Sequence, residues 1–523
     1  MGIYINIGNS RFQSIRNSEY VDKSGLIAIV NGTLSTERRF SCVSRSRRFG
    51  KSMAAIMLCA YYDHSCNSRE LFLDLDIARD PSFERHLNKY PVLYLDMTAF
   101  VTKYHDDPTI ISRIDAQLRE DVSQTYPAVE TREGDDLMDL LVRITARTQE
   151  RFIFIIDEWD AICREFKPGS QAMDMYVNWL RRMFKDISGK DVFAGVYLTG
   201  ILPIKKYKTE SALNNFTEYS MVDPRRMAAY FGFTQEEVKA LAVKYGMDFE
   251  ELQRWYDGYQ IGAQPSMFNP NSVMQALDSD WCTSYWGKTG SYEAVAAYIK
   301  MNFDGLKDDI IYMLAGGRCK VDTTKFQNDI SIVQSRDDVL TVLIHLGYLS
   351  FDRTVSECYI PNREVWMEMK SAVEDTDWTP VVKALRASET LLQATLDGDA
   401  RAVACGVDAA HDENTSILSY NNENSLACVL SIAYYAARNN YLMHRELPSG
   451  KGFADIVLYP RKNVDSPAVV LELKFDNSAD SAIEQIKRKE YPAKLADHSG
   501  NLLLVGVAYD RKTKQHSCVI ERA

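Results

Sequence analysis

The stretch RRFSCVSRSRRFGKSMAAIMLCAYY, residues 38–62, decides the fold of the N-terminal part of the chain. Its apolar run Phe40–Val43 predicts a strand, and the apolar residues after Lys51 predict a helix. The loop between them ends in G-K-S, which is typical of a phosphate-binding loop when it lies between a strand and a helix. Backbone N–H groups of such a loop and the positive end of the helix dipole favour bound phosphate.

The residues of this loop have expected roles. Gly50 allows the backbone to approach a phosphate closely. Lys51 is expected to reach the β and γ phosphates of ATP, and Ser52 to ligate Mg²⁺. Arg47 and Arg48 bind phosphate, act on the nucleotide of a neighbouring subunit, or form a structural ion pair, and these roles stay open. The nucleotide-binding candidates of the loop are Arg47, Arg48, Phe49, Gly50, Lys51 and Ser52.

A second stretch supports the nucleotide site, although Arg45 stands where the pattern G-x-x-x-x-G-K-[S/T] has its first glycine. The apolar strand in RFIFIIDEWD ends in Asp157 and Glu158. We expect Asp157 to hold Mg²⁺ and Glu158 to be the catalytic group that polarises the attacking water. The run VFAGVYLTG contains Thr199, which is expected to sense the γ-phosphate. The simpler alternative is a solvated strand end.

The fold class follows from the alternation of strand and helix in the N-terminal part. Helical patterns separate apolar β-rich runs at Phe40–Val43, Val92–Met97, Phe152–Ile156 and Val192–Leu198. This order predicts an α/β domain of the P-loop NTPase type, with a mostly parallel sheet covered on both faces.

The middle of the chain is predicted to be mainly helical. From Ser335 a helix runs into a short hairpin, YLSFD…ECYIPN, and another helix starts at Arg363. This order predicts a winged-helix-like module, and a generic helical lid is the alternative. The polar region Glu374–Asn422 is predicted to be a helical connection. We therefore expect a P-loop domain at 1–205, a helical and winged-helix-like region at 206–400 and a small α/β domain at 401–523.

A second candidate site lies in GKGFADIVLYP…VVLELKF, residues 450–475. The period of two places Glu472 and Lys474 on one face of a strand, with Leu473 on the other. Asp455 begins the preceding strand, close enough for the two strands to form a hairpin. Asp455, Glu472 and the Leu473 carbonyl are expected to share a metal ion, while Lys474 orients or activates water.

The pattern D…E-x-K is weak alone, because E-x-K is common on solvated strands. The apolar residues Val469–Leu471 make this strand less typical of a surface, and Gly452 suits a tight entry to the strand before it. Glu423 is a candidate third carboxylate ligand for the metal. Gln485, on the following helix, is expected to contact the site or the scissile strand.

Composition limits the function classes. The net charge of −11 excludes a surface that is basic throughout, so contact with nucleic acid requires a local basic patch. Ten scattered cysteines without a C-x-x-C pair predict reduced thiols and no zinc site. No apolar run approaches the length of a membrane span, and the first residues lack the pattern of a secretory signal. We therefore expect a cytoplasmic protein that does not enter a membrane.

With these residues in hand, the chain resembles a bacterial family that joins an AAA-ATPase-like domain to a C-terminal PD-(D/E)XK nuclease-like domain. In that family the first P-loop glycine is also an arginine, as at Arg45. Ser46 and Trp159 depart from the usual proline and tyrosine and leave the phosphate and metal chemistry intact. The resemblance rests on ordered matches that include YVDKS at Tyr20–Ser24, SRSRRFGKS at Ser44–Ser52, IIDEWD at 155–160, WYDGY at Trp255–Tyr259, FNPNSV at Phe268–Val273, IPNREV at Ile360–Val365 and GFAD…ELK…Q…Y ending at Tyr491.

The resemblance implies an ATPase core and a restriction-endonuclease-like nuclease fold. The resulting hypothesis is an ATP-regulated, Mg²⁺-dependent nuclease that acts on nucleic acid. DNA is the expected substrate, and the choice between DNA and RNA stays open. The alternative is an ATP-dependent switch that binds nucleic acid or a partner protein without cutting. A third hypothesis is an effector whose nucleotide only stabilises the fold. ATPases of this type often complete their site across subunits, so a homo-oligomer is also open.

Overall fold

The computed structural model describes residues 2–167, 169–185, 191–204, 213–286, 298–299, 301, 303, 305–314, 316–326, 333–374, 379–414, 430, 433–434, 436–437, 441–449, 452–460, 466–488 and 501–523. These residues form two compact units. The N-terminal unit takes its described residues from Met1–Ser291, Asn302–Asp304 and Arg318–Glu368. The C-terminal unit takes its described residues from Tyr292–Met301, Gly305–Gly317 and Met369–Ala523.

The N-terminal unit is built around a five-stranded parallel sheet in the order β2-β3-β4-β1-β5. Each of the four predicted apolar runs forms one of its strands. The parallel register pairs Asp96 with Asp157, and Val43 with Thr199, so polar residues gather at one edge. The strands are β1 (Phe40–Ser44), β2 (Val92–Asp96), β3 (Phe152–Asp157), β4 (Phe193–Gly200) and β5 (Thr217–Tyr219).

Helices cover this sheet and bury its apolar residues in one core. Three of them have well-formed N-terminal caps, because the Asp96, Asp136 and Ser170 side chains accept hydrogen bonds from backbone N–H groups. The helices are α1 (Ser10–Arg16), α2 (Gly25–Asn31), α3 (Lys51–Tyr62), α4 (Phe83–His86), α5 (Met97–Lys103), α6 (Ile110–Thr125), α7 (Leu137–Thr148), α8 (Ala161–Glu165) and α9 (Gln171–Phe184).

The rest of the N-terminal unit carries two small sheets, ordered β6-β8-β7 and β10-β11-β9. The helix before β10, the β10–β11 hairpin and the helix after it have the element order that a winged-helix-like module requires. The strands are β6 (Phe233–Thr234), β7 (Tyr259–Ile261), β8 (Gln264–Phe268), β9 (Cys319–Lys320), β10 (Ser350–Asp352) and β11 (Glu357–Tyr359). The helices along residues 235–374 are α10 (Gln235–Tyr245), α11 (Phe249–Tyr256), α12 (Pro270–Ser279), α13 (Leu306–Leu314), α14 (Arg336–Leu346) and α15 (Arg363–Glu374), of which α13 and the part of α15 from Met369 onward belong to the C-terminal unit.

The C-terminal unit contains a mixed sheet in the order β12-β13-β14-β15-β16. Neighbouring strands are antiparallel except β14 and β15, which are parallel and are separated along the chain by a helix. The elements are β12 (Tyr441–Ser449), β13 (Gly452–Pro460), β14 (Ala468–Phe475), β15 (Leu502–Asp510) and β16 (Gln515–Arg522), with α16 (Thr379–Asp397), α17 (Ala400–Asn414) and α18 (Ala479–Arg488).

The prediction that Glu374–Asn422 is only a connection is wrong for its described helices. Leu391 on α16 and Val403 and Val407 on α17 are buried in one core with Leu471 of β14. His516 of β16 also pairs with an aspartate on α17, at 2.6 Å between Nδ1 and the carboxylate. These helices are therefore part of the C-terminal unit. The division into 1–205, 206–400 and 401–523 stays a prediction.

Two predictions from composition can be compared with the described part of the chain. Its nine cysteines are all free. None of its helices has both the length and the apolar character that crossing a membrane requires.

Candidate nucleotide and nuclease sites

The phosphate-binding loop of the N-terminal unit connects β1 to α3. Gly50 is the last residue before α3 and has a φ of +85°, a left-handed conformation that favours glycine. A Cβ at Gly50 would meet no heavy atom within 4 Å, so the backbone conformation alone requires glycine there. The loop thereby delivers Lys51 and Ser52 to the first turn of α3, as predicted from G-K-S.

Lys51 is buried, with 4% of its surface exposed. Its Nζ lies 3.3 Å from Oε1 of Glu158 and donates a hydrogen bond of 3.1 Å to the Ser46 carbonyl. The ammonium group therefore faces the end of β3, where the candidate catalytic carboxylate lies. The two residues are 107 positions apart in sequence, and the parallel sheet brings them together.

Asp157, Ser52 and Thr199 form a group of oxygen atoms beside this lysine. The Thr199 hydroxyl donates a hydrogen bond to the Asp157 carboxylate. Burial raises the pKa of Asp157, and hydrogen bonds from the Thr199 and Ser52 hydroxyls oppose that rise. Hydroxyl and carboxylate oxygens are the ligands that Mg²⁺ prefers. The donor set at this edge therefore fits the predicted magnesium ion.

Glu158 is held by two cations. Its Oε1 faces Lys51, and its Oε2 accepts a hydrogen bond of 2.7 Å from Arg164 of α8. Burial acts to raise the pKa of Glu158, but Lys51 and Arg164 outweigh it and hold the pKa below the usual carboxylate range. Glu158 has a φ of +51°, so the strand ends in a sharp turn. The ionised carboxylate is thus held at the C-terminal end of β3.

Several residues of this site border a cavity of about 970 Å³ in the N-terminal unit, namely Lys51, Ser52 and Glu158. Its polar side includes Lys51, Ser52 and Glu158 from the site, and its volume lies within the range of small-molecule binding sites. Its apolar and aromatic side is formed by Tyr20, Val21, Met57, Tyr230, Phe233 and Met274. A charged end and an apolar end fit a nucleoside triphosphate.

The predicted loop residues Arg47, Arg48 and Phe49 also border this cavity. The Phe49 ring is buried and packs edge-on against Tyr259, with 5.1 Å between ring centres. Arg48 donates a hydrogen bond of 3.1 Å to the Tyr285 carbonyl, and it has a φ of +68°. Both residues thus also join the loop to the middle of the chain.

Arg45, at the first position of the loop pattern, is fully buried. Its guanidinium donates hydrogen bonds of 2.8 Å to the carbonyls of Ser44 and Tyr219 and lies over the Phe231 ring. Burial lowers its pKa to about 10, so it remains charged at neutral pH. Arg45 therefore supports the loop from within the protein interior.

Two motifs without a predicted role, WYDGY and IPNREV, also support the loop. The Tyr259 hydroxyl donates a hydrogen bond of 2.8 Å to the Gly347 carbonyl, and a Cβ at Gly347 would come within 2.5 Å of the Ser46 side chain. The Tyr285 N–H donates a hydrogen bond of 2.7 Å to Glu364. Residues of the middle region therefore contact the phosphate-binding loop directly, and whether this region is winged-helix-like or a generic helical lid stays a prediction.

The second candidate site lies on β14 of the C-terminal unit. Glu472 is buried, and its carboxylate accepts a hydrogen bond from the Gln485 amide on α18. The Lys474 ammonium lies 3.5 Å from Oε1 of Glu472. The predicted shared face of Glu472 and Lys474 and the predicted contact of Gln485 are thus both present, while Leu473 is buried in the core.

Asp455 lies on β13, which pairs with β14. The antiparallel register places Ile456 opposite Leu471, and the Asp455 side chain lies outside the part of the chain that the structure describes. Glu423 lies outside the described residues. Across the described part of the chain, no group of three or more His, Cys, Asp or Glu side chains has the geometry to hold a metal ion. One buried carboxylate beside a lysine fits a metal only with further ligands.

Arg164 and Asp160 are site residues that the sequence reasoning missed. Arg164 borders the cavity and contacts Glu158, and Asp160 lies 3.2 Å from Arg164 through its Oδ2. The available signal was their spacing of four directly after IIDEW, which places them on one face of a helix. Such pairs are common on surface helices, so the spacing was not distinctive.

The fold and the sites define a two-part class of protein. An α/β domain with a phosphate-binding loop and two strand-end carboxylates is joined to a mixed-sheet domain with a buried E-x-K strand. The chain has the architecture of an AAA-ATPase-like protein with a PD-(D/E)XK nuclease-like domain. Residues 6–209 match the family described as predicted AAA-ATPase, and residues 421–518 match the PD-(D/E)XK nuclease superfamily.

Comparisons with individual proteins give weaker likenesses. No curated protein is significantly similar to the chain. Similar solved structures include the Aeropyrum pernix ORC1 protein in complex with DNA, at 13% identity, 70% of this chain, 95% of that chain and a TM-score of 0.27. AMPPCP-bound DnaA from Aquifex aeolicus is 10% identical, and the match covers 72% of this chain and 90% of that chain with a TM-score of 0.24. The Aeropyrum pernix ORC2 protein with ADPNP and ADP is 12% identical, and the match covers 69% of this chain and 97% of that chain with a TM-score of 0.30. TM-scores of this size establish nothing beyond the family matches.

Proposed function

We propose that the protein binds and hydrolyses ATP and uses this cycle to control Mg²⁺-dependent phosphodiester cleavage of nucleic acid, with DNA as the substrate. The observation that carries the proposal is the meeting of Lys51 from α3, Asp157 and Glu158 at the end of β3, and Thr199 from β4, with Lys51 and Glu158 lining one cavity. The protein is proposed to act in the cytoplasm, and the proposal leaves a homo-oligomer open.

In the proposed ATPase step, Lys51 binds the β and γ phosphates, and Ser52 and Asp157 hold the magnesium ion. The ion neutralises charge that develops on the phosphates. Glu158 is ionised, so it can orient the attacking water and accept its proton. Thr199 lies on β4, between β3 and β1. Its hydrogen bond to Asp157 lets it respond to the loss of the γ-phosphate.

In the proposed nuclease step, Glu472 and Asp455 hold the metal ion together with the Leu473 carbonyl and Glu423. The bound ion supplies a nucleophile at neutral pH and stabilises the charged phosphate. Lys474 is 15% exposed, so its ammonium can orient the attacking water or the scissile phosphate. Gln485 orients Glu472 through the hydrogen bond between their side chains.

The contacts behind the phosphate-binding loop support control by nucleotide. Phe49 and Arg48 belong to the loop and contact Tyr259 and Tyr285, and Tyr285 contacts Glu364 at the start of α15. A movement of the loop on nucleotide binding would therefore reach the winged-helix-like module. This module is the proposed carrier of the signal.

A second candidate function is an ATP-dependent switch that binds nucleic acid or a partner without cutting. It is favoured by the state of Glu472, whose carboxylate is already bonded to Gln485 and faces Lys474. A carboxylate with these partners can have a purely structural role. The intact acid and lysine on β14 favour cleavage.

Labelled DNA and RNA, incubated with Mg²⁺ or Mn²⁺ in the presence and absence of ATP, separate the two candidates. We expect the wild-type protein to cut DNA and the Lys474→Ala variant to leave it intact. An exposed lysine in the same unit, Lys512→Ala, serves as the matched control. Cleavage that survives Lys474→Ala would contradict the proposed nuclease site, and no cleavage of any substrate would favour the switch.

A further inference from the structure

We propose that Arg164 is a positioning residue for ATP hydrolysis, which holds the Glu158 carboxylate in place once Lys51 has turned to the phosphates. The inference rests on the proposed ATPase function and adds to it a residue of α8. It predicts that Glu158 loses its contact with Lys51 on nucleotide binding and keeps its contact with Arg164. The side chains that support this are those of Glu158, Lys51, Arg164 and Asp160.

The first observation is that the two oxygens of Glu158 have different partners. Oε2 accepts a hydrogen bond of 2.7 Å from Nη2 of Arg164, and Oε1 lies 3.3 Å from Nζ of Lys51. The Lys51 side chain is 4% exposed and the Arg164 side chain 13%. The shorter of the two contacts is that of the arginine.

The second observation is that Arg164 is itself anchored. Its Nε lies 3.2 Å from Oδ2 of Asp160, whose side chain is completely buried. The Asp160 carboxylate also accepts the backbone N–H groups of Ile201 and Leu202, the latter at 3.0 Å. Arg164 is thereby tied to the chain that leaves β4, one of the two strands that form the site.

The third observation is that the Asp160 carboxylate packs closely against Gly200 of β4, where a larger residue would displace it. A Cβ at Gly200 would lie 2.6 Å from Oδ1 of Asp160. Glycine at this position leaves the space that the Asp160 carboxylate occupies, and Asp160 in turn contacts the arginine that is bonded to Glu158. Thr199 precedes Gly200 and bonds Asp157, so this anchor also reaches the proposed magnesium ligand.

Nucleotide binding gives this arrangement its purpose. Lys51 cannot serve Glu158 and the phosphates equally, because both compete for one ammonium group. When Lys51 moves to the phosphates, Glu158 would be a mostly buried carboxylate without its lysine, a costly state unless another cation stays in contact. The other charged groups around Glu158 are Arg47, Asp157 and Asp160, and Arg164 is the cation bonded directly to it.

A double-mutant cycle tests the inference. Arg164→Gln, Glu158→Gln and the double variant are compared with the wild type for kcat, KM and binding of ADP with aluminium fluoride and Mg²⁺. We expect Arg164→Gln to lower kcat by about ten- to a hundredfold, with KM nearly unchanged, because misplacing a reacting group costs rate. In the Glu158→Gln background the same change should have no further effect, since Arg164 acts through Glu158.

Two further variants control the cycle. Arg254 is also mostly buried, and its Nη1 lies 3.3 Å from Glu251, but it does not border the cavity. Arg254→Gln should therefore keep the wild-type kcat. Arg164→Lys retains the charge without the forked geometry, so it should recover part of the lost rate and bind the aluminium fluoride complex more tightly than Arg164→Gln.

The outcomes separate failure of the inference from failure of the proposed function. If the wild type does not turn over ATP, the proposed function fails and the inference fails with it. If the wild type is active but the effects of Arg164→Gln and Glu158→Gln multiply, or KM rises while kcat stays constant, only the inference is overturned. If Arg164→Gln does not fold, Arg164→Lys decides, and a wild-type kcat in that variant would contradict positioning by the guanidinium.

Discussion

The nucleotide site and the nuclease-like site differ in how much of the chain builds them. Lys51, Asp157, Glu158 and Thr199 come from distant stretches, and the parallel sheet brings them together beside a cavity that Lys51 and Glu158 line. Glu472, Lys474 and Gln485 are instead close in sequence, on one strand and the next helix. The first site is organised by topology, whereas the second is organised by local pattern.

The two sites also differ in what neutralises their carboxylates. Glu158 is paired with two cations, one of which has a second predicted task at the phosphates. Glu472 is paired with an amide and faces a lysine, and the other proposed ligands must join it before a metal is held. We therefore expect the first site to bind nucleotide with the residues already in place, whereas the second site must bind a metal ion before it can cut.

The largest expected effect concerns the nucleotide site. Glu158→Gln keeps the size of the side chain but removes the proton acceptor, so ATP turnover should fall by about 10²- to 10⁴-fold. Binding of ATP should persist, since Lys51 still reaches the phosphates. Turnover is followed by phosphate release, and affinity by titration with a fluorescent ATP analogue. An unchanged turnover would remove Glu158 from the mechanism.

The next effect separates support of the loop from contact with phosphate. Arg45→Gly restores the usual first glycine, but it deletes buried hydrogen bonds to the Ser44 and Tyr219 carbonyls. We expect the N-terminal unit to lose about 3 kcal/mol or more of stability, seen as a lower melting temperature. The exposed Arg38→Gly is the control. A gain in ATP affinity without destabilisation would contradict the structural role.

A third prediction concerns the contacts behind the loop. Burial raises the pKa of Glu364 to about 7. The folded state therefore keeps a proton between about pH 4.5 and 7 that the unfolded state releases, and stability should fall as the pH rises through this window. Glu364→Gln should remove this loss, which reaches about 3 kcal/mol. Melting curves from pH 5 to 8 check it, and parallel curves for both proteins would contradict it.

The smallest expected effect concerns the nuclease-like site. Gln485→Ala removes the amide that orients Glu472, so affinity for Mn²⁺ should fall by about ten- to a hundredfold. The neighbouring Glu484 is exposed, and Glu484→Gln is the matched control. Calorimetric titration measures the affinity. Equal affinities in wild type and Gln485→Ala would mean that Glu472 does not hold the metal.

Much of the nucleotide site could be predicted from the sequence, because its residues stand at strand ends and the strand order is parallel. Gly50, Lys51 and Asp157 were each marked by an apolar run beside a polar residue. The burial of Arg45 could not be predicted, since its partner carbonyl at Tyr219 is 174 positions away. The role of α16 and α17 was also missed, because their exposed faces made a packed helix pair look like a connection.

One cleavage assay can test whether this chain couples an ATPase to a nuclease. Labelled DNA is incubated with Mg²⁺, with and without ATP, and with wild type, Lys51→Ala or Lys474→Ala. We expect wild-type cleavage to change with ATP, the Lys51→Ala variant to lose its response to ATP, and the Lys474→Ala variant to hydrolyse ATP without cutting DNA. Cleavage by Lys474→Ala, or wild-type cleavage that is the same with and without ATP, would contradict this coupling.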